Sequence, residues 1–193
     1  MGRVVSVMST LKAVFLDRDG VLNAHLQGRY VETPDQLVIL PGVARAVRQF
    51  NDRGVLTIVI SNQQGVALNI MTEAALNVVN TAMKEQLAHS AGARLDAVYY
   101  CPHAKDADCT CRKPKPGMIF AALERFHLNA SDTIFVGDSH TDLQAAKAAN
   151  VGVKCLVLSG ATQFVDWTKF AVKPDHVFGD LAQVADWVLE ERN

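Results

Sequence analysis

Four polar positions, each closing an apolar run or following one in a loop, have the types and spacing to do chemistry together. The first is Asp17, in Phe15-Leu16-Asp17-Arg18-Asp19-Gly20-Val21-Leu22-Asn23. Two carboxylates two apart, straight after a strand-like run and before a glycine, can approach one ligand from two sides. Taken alone, the same pattern is also an ordinary Asx-rich turn. The second is Ser61, in Val59-Ile60-Ser61-Asn62-Gln63, whose hydroxyl can donate to a phosphoryl oxygen; Ser-Asn is equally turn chemistry. The third is Lys113, in Arg112-Lys113-Pro114-Lys115-Pro116-Gly117, either a fixed positive charge or part of a solvated basic turn. The fourth is Asp138, in Val136-Gly137-Asp138-Ser139-His140-Thr141-Asp142. Asp142 falls on the first turn of a predicted helix, where an acid also complements the helix dipole.

A second constellation lies between the third and second of these. Cys101-Pro102-His103 and Cys109-Thr110-Cys111 put three thiols and one imidazole in one short loop. Such a cluster in a reducing compartment is more often a metal site than a disulfide framework. A Cys₃His set suits a closed, tetrahedral and therefore structural Zn²⁺ site; a redox pair and chance clustering are the alternatives. Arg112 and Lys113 follow Cys111 directly, so a bound zinc would pin the loop that presents both. Cys155, within Val153-Lys154-Cys155-Leu156-Val157-Leu158, reads as a buried strand thiol.

The elements that must position these groups alternate. Short apolar runs at 13–16, 55–60, 97–100, 133–136, 154–158 and 176–178 read as strands. Amphipathic stretches at 42–52, 72–91, 117–126, 141–149 and 181–190 read as helices, and 162–170 as a short helix or loop. Strand–helix alternation implies an α/β fold, a Rossmann-like doubly wound parallel sheet with helices on both faces. Ligands in such folds bind outside the carboxyl ends of the strands. Asp17, Ser61, Cys101 and Asp138 would therefore share one edge.

The bulk numbers set bounds. The 193 residues fit one domain, 1–193, with residues 1–11 as an N-terminal extension and 101–111 as the zinc loop. Apolar residues make up 49 %, enough for a sizeable core, and a net charge of −1 without a basic stripe argues against a nucleic-acid or anionic-membrane partner. No apolar run approaches the roughly 20 residues of a membrane span. The first eleven residues lack the pattern of a secretory signal. Met1-Gly2 with Ser6 matches the loose myristoylation pattern, which we read as coincidence, and Met8 is an alternative start. The expectation is a cytoplasmic monomer acting on a small phosphorylated metabolite.

All four motifs, in this order and over most of 12–158, resemble the haloacid dehalogenase (HAD) superfamily of phosphohydrolases. The resemblance implies a HAD fold and a set of roles. Asp17 is nucleophile and Mg²⁺ ligand. Asp19 gives its backbone carbonyl to the metal, and its side chain protonates the leaving oxygen, then activates water against the aspartyl-phosphate. Ser61 and Lys113 bind the transferring phosphoryl group, Asp138 completes the metal site, and Asp142 orients Lys113 or the metal's waters. Physical reasoning supports this independently. A carboxylate attacking a phosphate dianion meets repulsion of about 4 kcal/mol at roughly 4 Å and an effective dielectric near ~20, which Mg²⁺ and Lys113 would offset. The acid at Asp19 also argues against dehalogenation, which has no alkoxide to protonate.

The run from Cys101 to Gly117 narrows the resemblance to the D-glycero-D-manno-heptose 1,7-bisphosphate phosphatases and their relatives, the histidinol-phosphate phosphatases. It implies that Arg112 recognises substrate, that His25, Gly28 and Tyr30 line the pocket with Asn62, Gln63 and Gln64, and that Ser139 contacts substrate. The family's Gly-(Ile/Leu)-Ala-Arg-Gly run is here Gly65-Val66-Ala67-Leu68-Asn69, so its arginine is missing. The intervals from Asp17 to Ser61 and from Ser61 to Lys113 are filled by core elements and leave no room for a cap domain. Closure falls to the loops 23–36, 62–71 and 102–116. The leading expectation is removal of the 7-phosphate from a heptose bisphosphate. Histidinol phosphate is the alternative substrate, and a catalytically silent, zinc-stabilised binding protein is the alternative from another class.

Overall fold

The computed structural model describes residues 10–190, so the start-site and myristoylation readings lie outside the described residues. Six strands form one parallel sheet: β1 (Ala13–Leu16), β2 (Leu56–Asn62), β3 (Ala97–Cys101), β4 (Thr133–Gly137), β5 (Val153–Val157) and β6 (His176–Phe178). Their order is β3-β2-β1-β4-β5-β6. Central β1 pairs with β2 and β4, and all four of its residues are buried, as a strand covered on both faces requires.

Alternation along the strands sorts the core into two layers. Val14, Leu16, Val59 and Val136 face α1 (Val43–Asp52), α2 (Glu73–Ala91) and α5 (Leu181–Glu190). Phe15, Ile58, Ile60 and Phe135 face α3 (Gly117–Arg125) and α4 (His140–Ala148). Helix α1 buries Val43, Ala46, Val47 and Phe50, the expected 3–4 spacing. Helix α2 starts where the Thr72 side chain accepts from Ala75 N and stops at Gly92 in the left-handed region.

The connections leave β1 toward β2 on one side and reach β4 on the other, so the order switches between β1 and β4. Asp17 and Asp138 follow those two strands. Strand β2 runs two residues past its apolar stretch, because Ser61 and Asn62 pair with Tyr100 and Cys101 of β3. A purely hydrophobic criterion ends the strand too soon there. The 162–170 segment forms two 3₁₀ turns, Ala161–Phe164 and Trp167–Lys169. Only a 3₁₀ turn, Pro34–Gln36, and isolated bridges lie between β1 and α1, and no helix or strand lies between β2 and α2. No inserted unit covers the strand ends among the described residues.

Candidate active site

Lys113 is the electrostatic centre of the strand-end crevice. Its Nζ lies 2.8 Å from Asp17 Oδ1 and 2.6 Å from Asp142 Oδ1, and donates to the Ile60 carbonyl at 2.8 Å. Burial pulls the ammonium down, but the Asp142 and Asp17 carboxylates outweigh it and hold Lys113 above its usual value. Asp142 is wholly buried; its Oδ2 accepts from the backbone N–H groups of Asp138 and Ser139 and from Ser139 Oγ. It is spent on holding Lys113 and the start of α4.

Asp17 makes its contacts through Oδ1, which also accepts from Arg18 N at 2.8 Å. Oδ2 is the oxygen left for a ligand. Burial pushes Asp17 up to about 7, with Lys113 opposing and Asp142 reinforcing. Asp19 goes the other way. Burial alone would raise it, but the Arg18 guanidinium and the amides of Asn23 and Gln63 hold it below the usual carboxylate range. Gln63 Nε2 bridges Asp19 Oδ2 at 2.7 Å and Ser61 Oγ at 2.9 Å. Because Ser61 Oγ accepts that amide proton, its own O–H remains available to a ligand oxygen.

Asp138 Oδ2 accepts from Ala161 N at 2.5 Å. Gly20, at φ +93°, and Gly160 press so closely on this carboxylate that a Cβ on either would collide with it. Burial, then the charges of Asp17 and Asp142, push Asp138 well above the usual range. Oxygens of Asp17, Asp138 and Asp142 lie within 4.8 Å of one another. With Asp142 committed to Lys113, the pair with oxygens to give is Asp17 and Asp138. Two buried carboxylates crowded in this way fit a hard, oxygen-preferring cation such as Mg²⁺.

A cavity of about 200 Å³ opens over these groups. Among the expected residues it is lined by Asp17, Asp19, His25, Tyr30, Ser61, Asn62, Lys113, Asp138 and Ser139, together with Arg29 and Thr141. Four expected contacts do not line it. Gly28 sits on an exposed turn at φ +69°. Gln63 is 1 % exposed and faces Asp19 and Ser61. Gln64 ties Tyr30 Oη to Arg112, at 2.8 and 3.0 Å. Arg112 also donates to the His103 carbonyl, and lines a neighbouring cleft with Lys105 and Lys115 that shares Asn62, Lys113 and Thr141 with the cavity.

The second metal constellation is also assembled. Cys101 Sγ is 3.1 Å from Cys111 Sγ and 3.8 Å from Cys109 Sγ, and His103 Nδ1 is 3.4 and 3.2 Å from Cys101 and Cys111. All four cysteines are free thiols. Three sulfurs and one imidazole nitrogen converging on one point fit a closed zinc site. Asn62 then ties this loop to the sheet: its side chain donates to Lys113 O and accepts from Lys113 N, both at 3.0 Å.

Sequence reasoning missed Arg18 and Asn23, which bond the Asp19 carboxylate, and Asn80, which accepts from Arg18. The available signals were a charged residue inside Asp17-x-Asp19 and an asparagine on the buried stripe of α2. No described helix is long and apolar enough to cross a membrane.

Residues 110–184 match the HAD-hydrolase-like family model. A D-glycero-beta-D-manno-heptose-1,7-bisphosphate 7-phosphatase of Salmonella typhi is 36 % identical over 187 residues, covering 93 % of this chain and 90 % of its own. A D-glycero-D-manno-heptose-1,7-bisphosphate 7-phosphatase of Thermosynechococcus vestitus is 37 % identical, covering 91 % and 94 %. The crystal structure of a D,D-heptose 1,7-bisphosphate phosphatase from B. bronchiseptica, complexed with magnesium and phosphate, superposes with a TM-score of 0.87 at 34 % identity. It covers 94 % of this chain and 99 % of its own.

Proposed function

Since the chain belongs to the D-glycero-D-manno-heptose 1,7-bisphosphate 7-phosphatases, phosphatases of the HAD-like hydrolases, we propose that it removes the 7-phosphate of such a sugar through an aspartyl-phosphate on Asp17. One observation carries this reading. Lys113 and Arg18 N engage Asp17 through Oδ1, which leaves Oδ2 for the cavity that Asp19, Ser61 and Asp138 share.

Asp17 Oδ2 attacks phosphorus, and the bond to the sugar oxygen breaks. Asp19 gives that oxygen its proton, then takes one from the water that cleaves the aspartyl-phosphate. Asp19 is held ionised in this state, and the negative charge of an entering phosphoryl group raises its affinity for the proton it must deliver. Ser61 O–H donates to a phosphoryl oxygen, and Lys113 neutralises charge beside the attacking carboxylate. Mg²⁺, held by Asp17, Asp138 and the Asp19 carbonyl, would supply the remaining neutralisation. Zn²⁺ on Cys101, His103, Cys109 and Cys111 would hold the loop that carries Lys113. Catalysis is then mostly positioning and electrostatics.

The histidinol-phosphate alternative calls for an acid to meet a cationic amine. The acids lining the cavity are Asp17, Asp19 and Asp138, all assigned to the reaction, and its other charged residues are Lys113 and Arg29. That balance favours an anionic or hydroxyl-rich substrate. We further propose a cytoplasmic monomer; the four free cysteines support a reducing compartment, and sedimentation tests the oligomeric state. The decisive experiment compares kcat/KM for heptose 1,7-bisphosphate anomers with that for histidinol phosphate, with Asp17→Asn as control. Heptose bisphosphate should lead by tenfold or more, roughly 1.4 kcal/mol of transition-state discrimination. Asp17→Asn should lose about 10³-fold or more while staying folded. A lead for histidinol phosphate would reverse the substrate assignment, and substantial turnover by Asp17→Asn would remove the nucleophile.

A further inference from the structure

Arg18 has no part in the steps above, yet it is a fully buried arginine at 1 % exposure. An arginine is kept inside a protein only when its donors are paired. Nε lies 3.3 and 3.2 Å from the two oxygens of Asp19, and Nη2 lies 3.1 Å from Asp19 Oδ1. Nη2 also donates to Gln63 Oε1 at 3.1 Å, and Nη1 to Asn80 Oδ1 at 3.4 Å. Gln63 turns its amide nitrogen back onto Asp19 Oδ2, and Asn23 donates to Oδ1 at 2.9 Å. The Asp19 carboxylate is thus gripped on both oxygens by a fork that is itself anchored just past the end of β2 through Gln63 and on the middle of α2 through Asn80.

We propose that Arg18 is a positioning residue for proton transfer: with Gln63 and Asn80 it fixes the Asp19 carboxyl toward the leaving oxygen of the substrate. The inference rests on Asp19 being the proton donor. In that step the Asp19 O–H bond breaks as the oxygen–phosphorus bond of the leaving group breaks, and the proton passes to the leaving oxygen. A donor displaced by about 1 Å loses up to roughly a hundredfold in rate. The loss falls selectively on substrates that need the proton. An alkoxide is too basic to leave without it, whereas an acidic phenolate leaves unprotonated.

The experiment measures kcat with Mg²⁺-loaded, zinc-loaded enzyme on an alkyl sugar phosphate and on an aryl phosphate with an acidic phenol. It compares wild type, Arg18→Met, Arg18→Lys, Asn80→Ala and Asp19→Asn. Arg18→Met should fall about tenfold to a hundredfold on the alkyl phosphate and less than about threefold on the aryl one. Arg18→Lys keeps the charge without the fork and should show the same split, less steeply. Asn80→Ala loosens only the far end of the fork and should show a weaker split still; it carries the test if both Arg18 variants fail to fold. Equal losses on the two substrates, or no loss on either, would reduce Arg18 to packing. A steep split in Asp19→Asn with a flat response in the fork variants overturns this proposal alone. A flat Asp19→Asn overturns the donor assignment, and this proposal with it.

Discussion

At the scale of single residues, Asp17 and Asp19 show how one short motif yields two carboxylates with opposite tendencies. Two positions apart, they share the strand end and each has a cation against it, but at Asp17 burial, helped by Asp142, outweighs Lys113, while at Asp19 the Arg18 guanidinium and two side-chain amides outweigh burial. Asp17 therefore binds its proton more tightly in the folded chain, at about 7, than at its ordinary 3.8. A carboxyl shifted upward contributes stability that is present in full below its unfolded value and lost as pH rises through its folded one. Protein dialysed free of Mg²⁺ but retaining zinc should lose thermal stability between about pH 4 and pH 7. Mg²⁺ needs these carboxylates ionised, so the rise in Tm that it produces should grow across the same window. Asp17→Asn should flatten both trends. Melting curves from about pH 5 to pH 8, with and without Mg²⁺, check this; an equal Mg²⁺ effect at both ends would contradict it.

At the scale of elements, the end of β2 and the Cys/His loop act as one support for Lys113. Asn62 grips the Lys113 backbone on both its N–H and its carbonyl, the two bonds a neighbouring strand would otherwise supply. Each is worth about 1 kcal/mol net, so Asn62→Ala should destabilise by roughly 2 kcal/mol and let Lys113 drift from Asp17. Its kcat should fall about tenfold or more with Mg²⁺ saturating, while zinc content stays at the wild-type level. Cys109→Ser attacks the same support from the other side. Zinc content and Tm should fall together, and phosphatase activity should fall even with excess Mg²⁺; metal analysis beside calorimetry reads all three. A variant with full activity and no zinc would show that the loop does not depend on the metal. Both sides of this support stand out unevenly in the sequence. The Cys/His spacing announces a metal site from a single loop, whereas the Asn62 clamp depends on β2 pairing with β3 beyond Ile60, where the apolar pattern has already stopped.

At the scale of the whole molecule, the strand–helix alternation that predicts the sheet also predicts which ends converge. Asp17, Ser61, Lys113 and Asp138 all line one cavity. What periodicity cannot carry is contact across sequence distance between polar groups. Arg18 and Asn80 meet only because the buried stripe of α2 joins the same core layer as β1 and β2, and Gln63, expected to meet substrate, is instead turned inward toward Asp19. Arg112 poses the same question at larger scale. It sits in a cleft with Lys105 and Lys115 that adjoins the cavity through Asn62, Lys113 and Thr141. A sugar with two phosphates can place one over Asp17 and the other toward this basic cleft, with no cap domain needed to select it. The guanidinium would then bind the distal phosphate equally in ground and transition states. Loss of such uniform binding raises KM and leaves kcat alone. Arg112→Ala should therefore raise KM for the bisphosphate about tenfold, with kcat within roughly twofold, and leave a sugar monophosphate nearly unaffected. Because Arg112 also donates to the His103 carbonyl, zinc content must be unchanged for the comparison to hold. Parallel losses on bisphosphate and monophosphate would instead assign Arg112 to holding the loop, and leave the distal phosphate to Lys105 and Lys115.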